Sequence, residues 1–158
     1  MIVFHGSYVE IRSPDVYHSR KYLDFGKGFY ITPIREQAVA WANRFKHRGK
    51  NSVLSAFEFD IGRCRSACKF VEFDGYTEEW LDFIVLCRKG NRPVECDVLI
   101  GGVADDRVFN TVELYLNDLI GKGEAIKRLR YERPNVQMCI ASQSVLDEYV
   151  RFTGSEVV

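Results

Sequence analysis

The apolar run Ile2-Val3-Phe4-His5 opens the chain and predicts a short strand stopped by Gly6. Residues 8–27 hold no sustained period; Pro14-Asp15 has turn chemistry, and the stretch reads as loop. Residues 28–32 predict a second strand. Thr32-Pro33 then reads as a helix start, with Thr as cap and Pro at the first helical position. Ala38, Trp41, Ala42 and Phe45 follow at helical spacing. Residues 52–60 predict a strand with Val53, Phe57 and Phe59 on one face. Thr77-Glu78-Glu79 opens a helix whose apolar stripe is Trp80, Phe83, Ile84 and Cys87. Residues 96–100 read as a buried strand closed by Gly101-Gly102. Two short helices are expected at 111–120 and 122–130, divided around Gly121 and Gly123. Residues 136–141 predict a strand, 143–149 a helix capped by Ser142, and 150–152 a last strand.

Strands and helices mix without a regular β-α-β alternation, which predicts an α+β fold with substantially antiparallel or split sheets. The 158 residues are most simply one domain, 1–158, and 46% hydrophobic content suffices for a sizeable core. Basic and acidic residues balance, so the net charge is zero and no global field draws the chain to nucleic acid or a membrane. Arg44-Lys46-His47-Arg48-Lys50 is a local basic cluster and reads as a solvated helix end and loop. No leader pattern precedes Ile2, and no apolar stretch nears the ~18 residues of a membrane span. A cytoplasmic location without membrane contact is therefore expected. The five cysteines are scattered without metal-ligand spacing. They read as buried thiols in a reducing compartment, and no metal is expected.

Two motifs carry the candidate chemistry. His5-Gly6-Ser7 puts a ring and a glycine at the end of the first strand. Phe25-Gly26-Lys27-Gly28-Phe29-Tyr30 puts two glycines directly before the second. Rings at strand ends, flanked by glycine, suit a flat-ringed ligand held against backbone. A lone histidine or tyrosine in such a place is more often structural; the two motifs gain weight by occurring together. As a pair they resemble the first two signature motifs of the ADP-ribosyltransferase superfamily, in its diphtheria-toxin-like and poly(ADP-ribose)-polymerase-like branch. The chain is also similar, from Ile2 to about Phe152, to a small bacterial family assigned to that superfamily.

The resemblance implies two roughly perpendicular sheets, a split β-sandwich with flanking helices and a nicotinamide cleft between the sheets. NAD would be the substrate. It also implies roles. His5 would hold a ribose hydroxyl, the backbone of Gly6 the nicotinamide carboxamide, and Ser7 the ribose. Gly26, Gly28 and Phe29 would bring the loop close, and Tyr30 would stack on the nicotinamide. Trp41, eleven residues after Tyr30, either closes the other side of that ring or belongs to the core stripe. Arg20 either pairs with the pyrophosphate or is solvated, and Asp24 orders the loop. Two positions depart from the pattern. Ala38 stands near where a serine would bond the carboxamide, and Gln137 stands where a late-strand glutamate would hold the ribose and stabilise positive charge. Glutamine can bond a hydroxyl but carries no charge. Among other carboxylates, Glu113, Asp97 and Asp105-Asp106 have no evident place in the cleft.

The expectation is a mono-ADP-ribosyltransferase using His5, Tyr30 and Gln137, without chain growth, acting on a protein or nucleic-acid acceptor. Residues 103–111 and 121–135 would shape the choice of acceptor. Family analogy adds a toxin or defence role and an antitoxin partner. A non-catalytic NAD or ADP-ribose binding module and an NAD glycohydrolase are the alternatives.

Overall fold

Two sheets gather the strands. The computed structural model describes residues 1–104, 106–129 and 135–158, and of residues 106–109 the backbone alone. The order is β1 (Ile2–Ser7), β2 (Phe29–Ile31), α1 (Arg35–Asn43), a 3-10 turn (Lys46–Arg48), β3 (Val53–Phe59), α2 (Ile61–Ala67) and β4 (Phe70–Glu72). Then come α3 (Glu78–Arg88), β5 (Val98–Gly101), α4 (Asp106–Leu116), α5 (Lys122–Leu129), β6 (Gln137–Ile140), α6 (Gln143–Tyr149) and β7 (Val150–Val157). One sheet is antiparallel, in the order β1-β3-β7. The other runs β2-β6-β5-β4 and is antiparallel except for the parallel pair β4/β5. The fold is thus mixed α+β. Among the described residues no helix is long and apolar enough to cross a membrane.

The second sheet is buried on both faces because its side chains alternate between two cores. Phe29, Ile31, Met138, Ile140 and Val98 face one core with Val3, Phe57 and Phe59. Leu99 and Cys139 face the other, with Phe25, Trp80, Leu81, Ile84 and Leu129. Each such side chain contributes about 1.5–3 kcal/mol by leaving water. Helix α3 supplies much of the second core. Thr77 caps it by accepting from the Trp80 N–H at 3.2 Å, and Trp80, Leu81, Phe83, Ile84 and Cys87 form its buried stripe. The Trp80 indole donates to the Gly102 carbonyl at 3.3 Å and so anchors the end of β5.

Several boundaries differ from expectation. β1 runs on to Ser7, so His5 lies inside a strand rather than at its end. Helix α1 opens at Arg35, not Pro33, because the Thr32 backbone is held extended by a bridge to Phe4. The Thr32 hydroxyl instead accepts from the Ile34 N–H at 3.1 Å. Helix α4 begins earlier than expected and stops at Leu116. Helix α2, capped by Asp60, and strand β4 were not anticipated. β7 is eight residues rather than three. Asp105 and the end of the 122–130 segment, with 131–134, lie outside the described residues.

Candidate functional site

The two sheets meet at one ladder pair. Phe4 donates to the Thr32 carbonyl at 2.8 Å and accepts from the Thr32 N–H at 2.9 Å. Continued by two residues, this register would set Gly6 against Tyr30. Strand alternation points the Gly6 N–H and C=O to the same edge as those of Phe4, away from β3. The pairing nevertheless stops, because the His5 ring takes the Tyr30 carbonyl with its Nδ1 at 2.7 Å. A side chain thus replaces a backbone bond, and the strands part with Gly6 at the fork.

That bond fixes the histidine. A carbonyl only accepts, so Nδ1 carries the proton and Nε2 is left as an acceptor. The ring is half-buried and stacked on Phe29, 4.6 Å between centroids. Loss of water holds its pKa below 6.5, against the opposing pull of the Tyr30 carbonyl. The folded ring therefore takes up its proton at lower pH than the unfolded one. The resulting stability is complete above 6.5 and is lost as pH falls through the folded value. An NMR titration of the His5 ring is expected to give a midpoint below 6.5; a midpoint above it would contradict this geometry.

Gly6 is a glycine for packing. A β carbon there would lie 2.2 Å from the Ala38 carbonyl oxygen and 2.9 Å from the Ala42 nitrogen, so α1 rests directly on β1. Ala38 offers no hydroxyl and is buried in this contact. Ser7 is buried at the end of the strand. Trp41 is 41% exposed, which excludes the core-stripe reading, and the Arg44 guanidinium lies 4.5 Å over its ring.

The second motif is held from several sides. The Tyr30 hydroxyl donates to the Gly26 carbonyl at 2.7 Å and accepts from the Phe25 N–H at 3.1 Å. Burial keeps this phenol well above the usual tyrosine range, so it remains a donor. Arg92 clasps the Phe25 carbonyl with Nε at 2.9 Å and Nη2 at 2.7 Å, and also reaches the Lys27 carbonyl. Gly26 has a φ of +75°, which a side chain would strain. Gly28 packs against Cys139 and the Ile140 carbonyl, and its N–H donates to the Ser19 hydroxyl at 3.2 Å. Arg20 and Lys27 are exposed. Behind this loop lies a cavity of about 350 Å³ with Lys21, Lys27 and Arg92 in its lining. None of His5, Gly6 and Gln137 lines it.

Gln137, the first residue of β6, is buried beside Asp24. Its Nε2 donates to Asp24 Oδ2 at 3.0 Å and to the Gly102 carbonyl at 3.1 Å. With both amide hydrogens committed, the remaining hydrogen-bonding group is Oε1, an acceptor. Asp24 also accepts from Arg88 Nη2 at 2.7 Å and Nε at 3.2 Å, and from the Ala104 N–H at 3.0 Å. Glu113 stands 3.8 Å from Arg88. A glutamate at 137 would set a second carboxylate about where Nε2 now meets Asp24, and like charges repel at that range. Glutamine is therefore the residue this neighbourhood accepts.

The structure thus joins His5, Phe29 and Tyr30 by direct contact. Tyr30 links onward through the 25–26 backbone to the Asp24–Gln137 pair, while Gly6 and Trp41 belong with α1. Sequence reasoning missed Arg88 and Arg92. Both are far along the chain from the motifs they hold, and no local period marks them.

Compared with known proteins, the chain is matched over residues 1–152 by a family model described as a protein of unknown function, DUF3990. No curated protein and no solved structure matches it.

Proposed function

The chain belongs to the DUF3990 family, and we propose that it is an NAD-dependent mono-ADP-ribosyltransferase with an ADP-ribosyltransferase-like split sandwich. The carrying observation is the fork at Gly6, where His5 caps the Tyr30 carbonyl and the buried Gly6 backbone pair points to the β2 side of β1 without continuing the ladder. A primary carboxamide offers one acceptor and one donor group, the complement of a backbone N–H and C=O. Nicotinamide carries such a carboxamide on a flat ring. His5 Nε2 then accepts from a ribose hydroxyl, and Gln137 Oε1 can accept from another. Trp41 presents an exposed ring on the helix that abuts Gly6. In place of Arg20, the cations Lys21, Lys27 and Arg92 offer a lining suited to phosphate.

In the reaction the bond from ribose C1 to the nicotinamide nitrogen breaks, and its electron pair leaves with neutral nicotinamide. A lone pair on the acceptor forms the new bond to C1, and the acceptor's proton goes to water. Positive charge on the ribose in between is met by neutral acceptors here, because Asp24 is already committed to Arg88. That commitment favours a second reading, a module that binds NAD and does not turn it over.

Incubation with isotopically labelled NAD and a lysate tests both. Nicotinamide release with label on a macromolecule is expected, and His5→Ala should weaken NAD binding about tenfold through one lost hydrogen bond. Release without label would indicate hydrolysis. Binding without release would select the module, and no NAD binding at all would defeat the proposal.

A further inference from the structure

Between Glu36 and Glu58 the chain holds no acidic residue, yet it carries Arg44, Lys46, Arg48 and Lys50, with His47 among them. In a chain of zero net charge this is a concentrated excess of positive charge. All five of these side chains are exposed, at the end of α1 and on the 3-10 turn after it. The turn is ordered by backbone bonds: Arg48 N–H to Phe45 carbonyl at 3.0 Å and Lys50 N–H to the same carbonyl at 3.1 Å. The charges are thus presented on a fixed backbone.

Aromatic rings are interleaved with them. Tyr8 is 41% exposed, rests against Phe45 at 5.4 Å between centroids, and has Lys50 Nζ 4.1 Å over its face. The Trp41–Arg44 pair lies on the same helix end, at the border of the proposed nicotinamide side. Exposed lysines alone would be an ordinary solvated surface. Rings paired with cations, on a stretch free of acidic residues from 37 to 57, form the pattern that binds unpaired bases by stacking and their phosphates by charge. A duplex hides its base faces, and an acidic peptide has no use for the rings.

We propose that Tyr8, Phe45 and the cations of residues 44–50 form a binding surface for single-stranded nucleic acid. Tyr8 directly follows Ser7, the last residue of β1, so a bound strand would lie close to the Gly6 fork. The proposal rests on the transferase reading only in making that strand the acceptor; the binding itself does not depend on NAD.

The experiment is fluorescence anisotropy with labelled single-stranded DNA and RNA of about 12 nucleotides, and a duplex of equal length, without NAD. The wild type is expected to bind single strands in preference to duplex. With about four phosphate contacts, affinity should fall about 50-fold between roughly 50 and 200 mM salt. Lys46→Glu with Lys50→Glu should weaken binding at least about tenfold while calorimetry shows unchanged NAD affinity. Tyr8→Ala alone should weaken it about tenfold. No single-strand binding, equal affinity for duplex, salt-insensitive binding, or variants that bind like wild type would each overturn the proposal. Loss of NAD affinity in the wild type would strike the transferase reading and leave this one standing.

Discussion

Asp24→Asn is expected to lower folding stability by about 3 kcal/mol, read as a fall in the denaturant midpoint at unchanged slope. Four donor atoms converge on this carboxylate: Arg88 Nε and Nη2 on Oδ1, and the Ala104 N–H and Gln137 Nε2 on Oδ2. Asparagine turns one oxygen into a donor. Whichever way its amide flips, that NH2 group meets donors, either those of Arg88 or those of Ala104 and Gln137. The Arg88 charge, with its side chain only 11% exposed, also loses the carboxylate that meets it at 2.7 Å. A double variant, Asp24→Leu with Arg88→Met, removes the buried cation together with its carboxylate partner and should recover part of the loss. A change below about 1 kcal/mol in Asp24→Asn would show that water reaches the pair freely.

Gly6→Ala should be comparably damaging, at about 3 kcal/mol, with the same measurement as its check. The added methyl would sit 2.2 Å from the Ala38 carbonyl oxygen. That atom is helix backbone, so no rotamer change relieves the clash, and α1 must lift from β1. Lifting it moves Trp41 as well. NAD binding, where it is present in the wild type, should therefore weaken along with stability. A fully stable alanine variant would mean that helix and strand separate readily, and the fork would then not be a fixed feature.

Much of the strand layout was legible because buried strands announce themselves. Val98, Leu99, Met138, Cys139 and Ile140 lie in short apolar runs bounded by turn residues. Thr77 and the acids after it marked α3 by capping chemistry, which is local and visible in sequence. What escaped was set by partners distant in the chain. β4 is two half-buried residues and an exposed glutamate, whose strand character comes from parallel pairing with β5. β7 reads as irregular past Phe152 because Gly154 interrupts the run with a residue disfavoured in strands. Pairing with β3 imposes the extended form there.

The site divides in the same way. The glycine motifs pointed to a place where backbone approaches closely, and both Gly6 and Gly28 do so. The approach is to α1 and β6, however, and no pattern within the motifs could tell a helix from a ligand. Gln137 stood out as a departure from an expected glutamate. Its reason, Asp24 at 3.0 Å, joins residues over a hundred positions apart. Trp41 needed its exposure to be known, since the same helical spacing serves a core face or an outer one.

The bond between His5 and the Tyr30 carbonyl has a consequence for what can enter beside Gly6. It leaves the ladder short of one residue's worth of pairing, so under the proposed function the nicotinamide carboxamide would stand in for a missing piece of strand. A primary amide can play the part, meeting the N–H with its oxygen and the C=O with its nitrogen. A carboxylate cannot: one of its oxygens would face the glycine carbonyl, lone pair against lone pair. On the proposed reading, the order of two backbone groups would sort amides from acids before any side chain takes part.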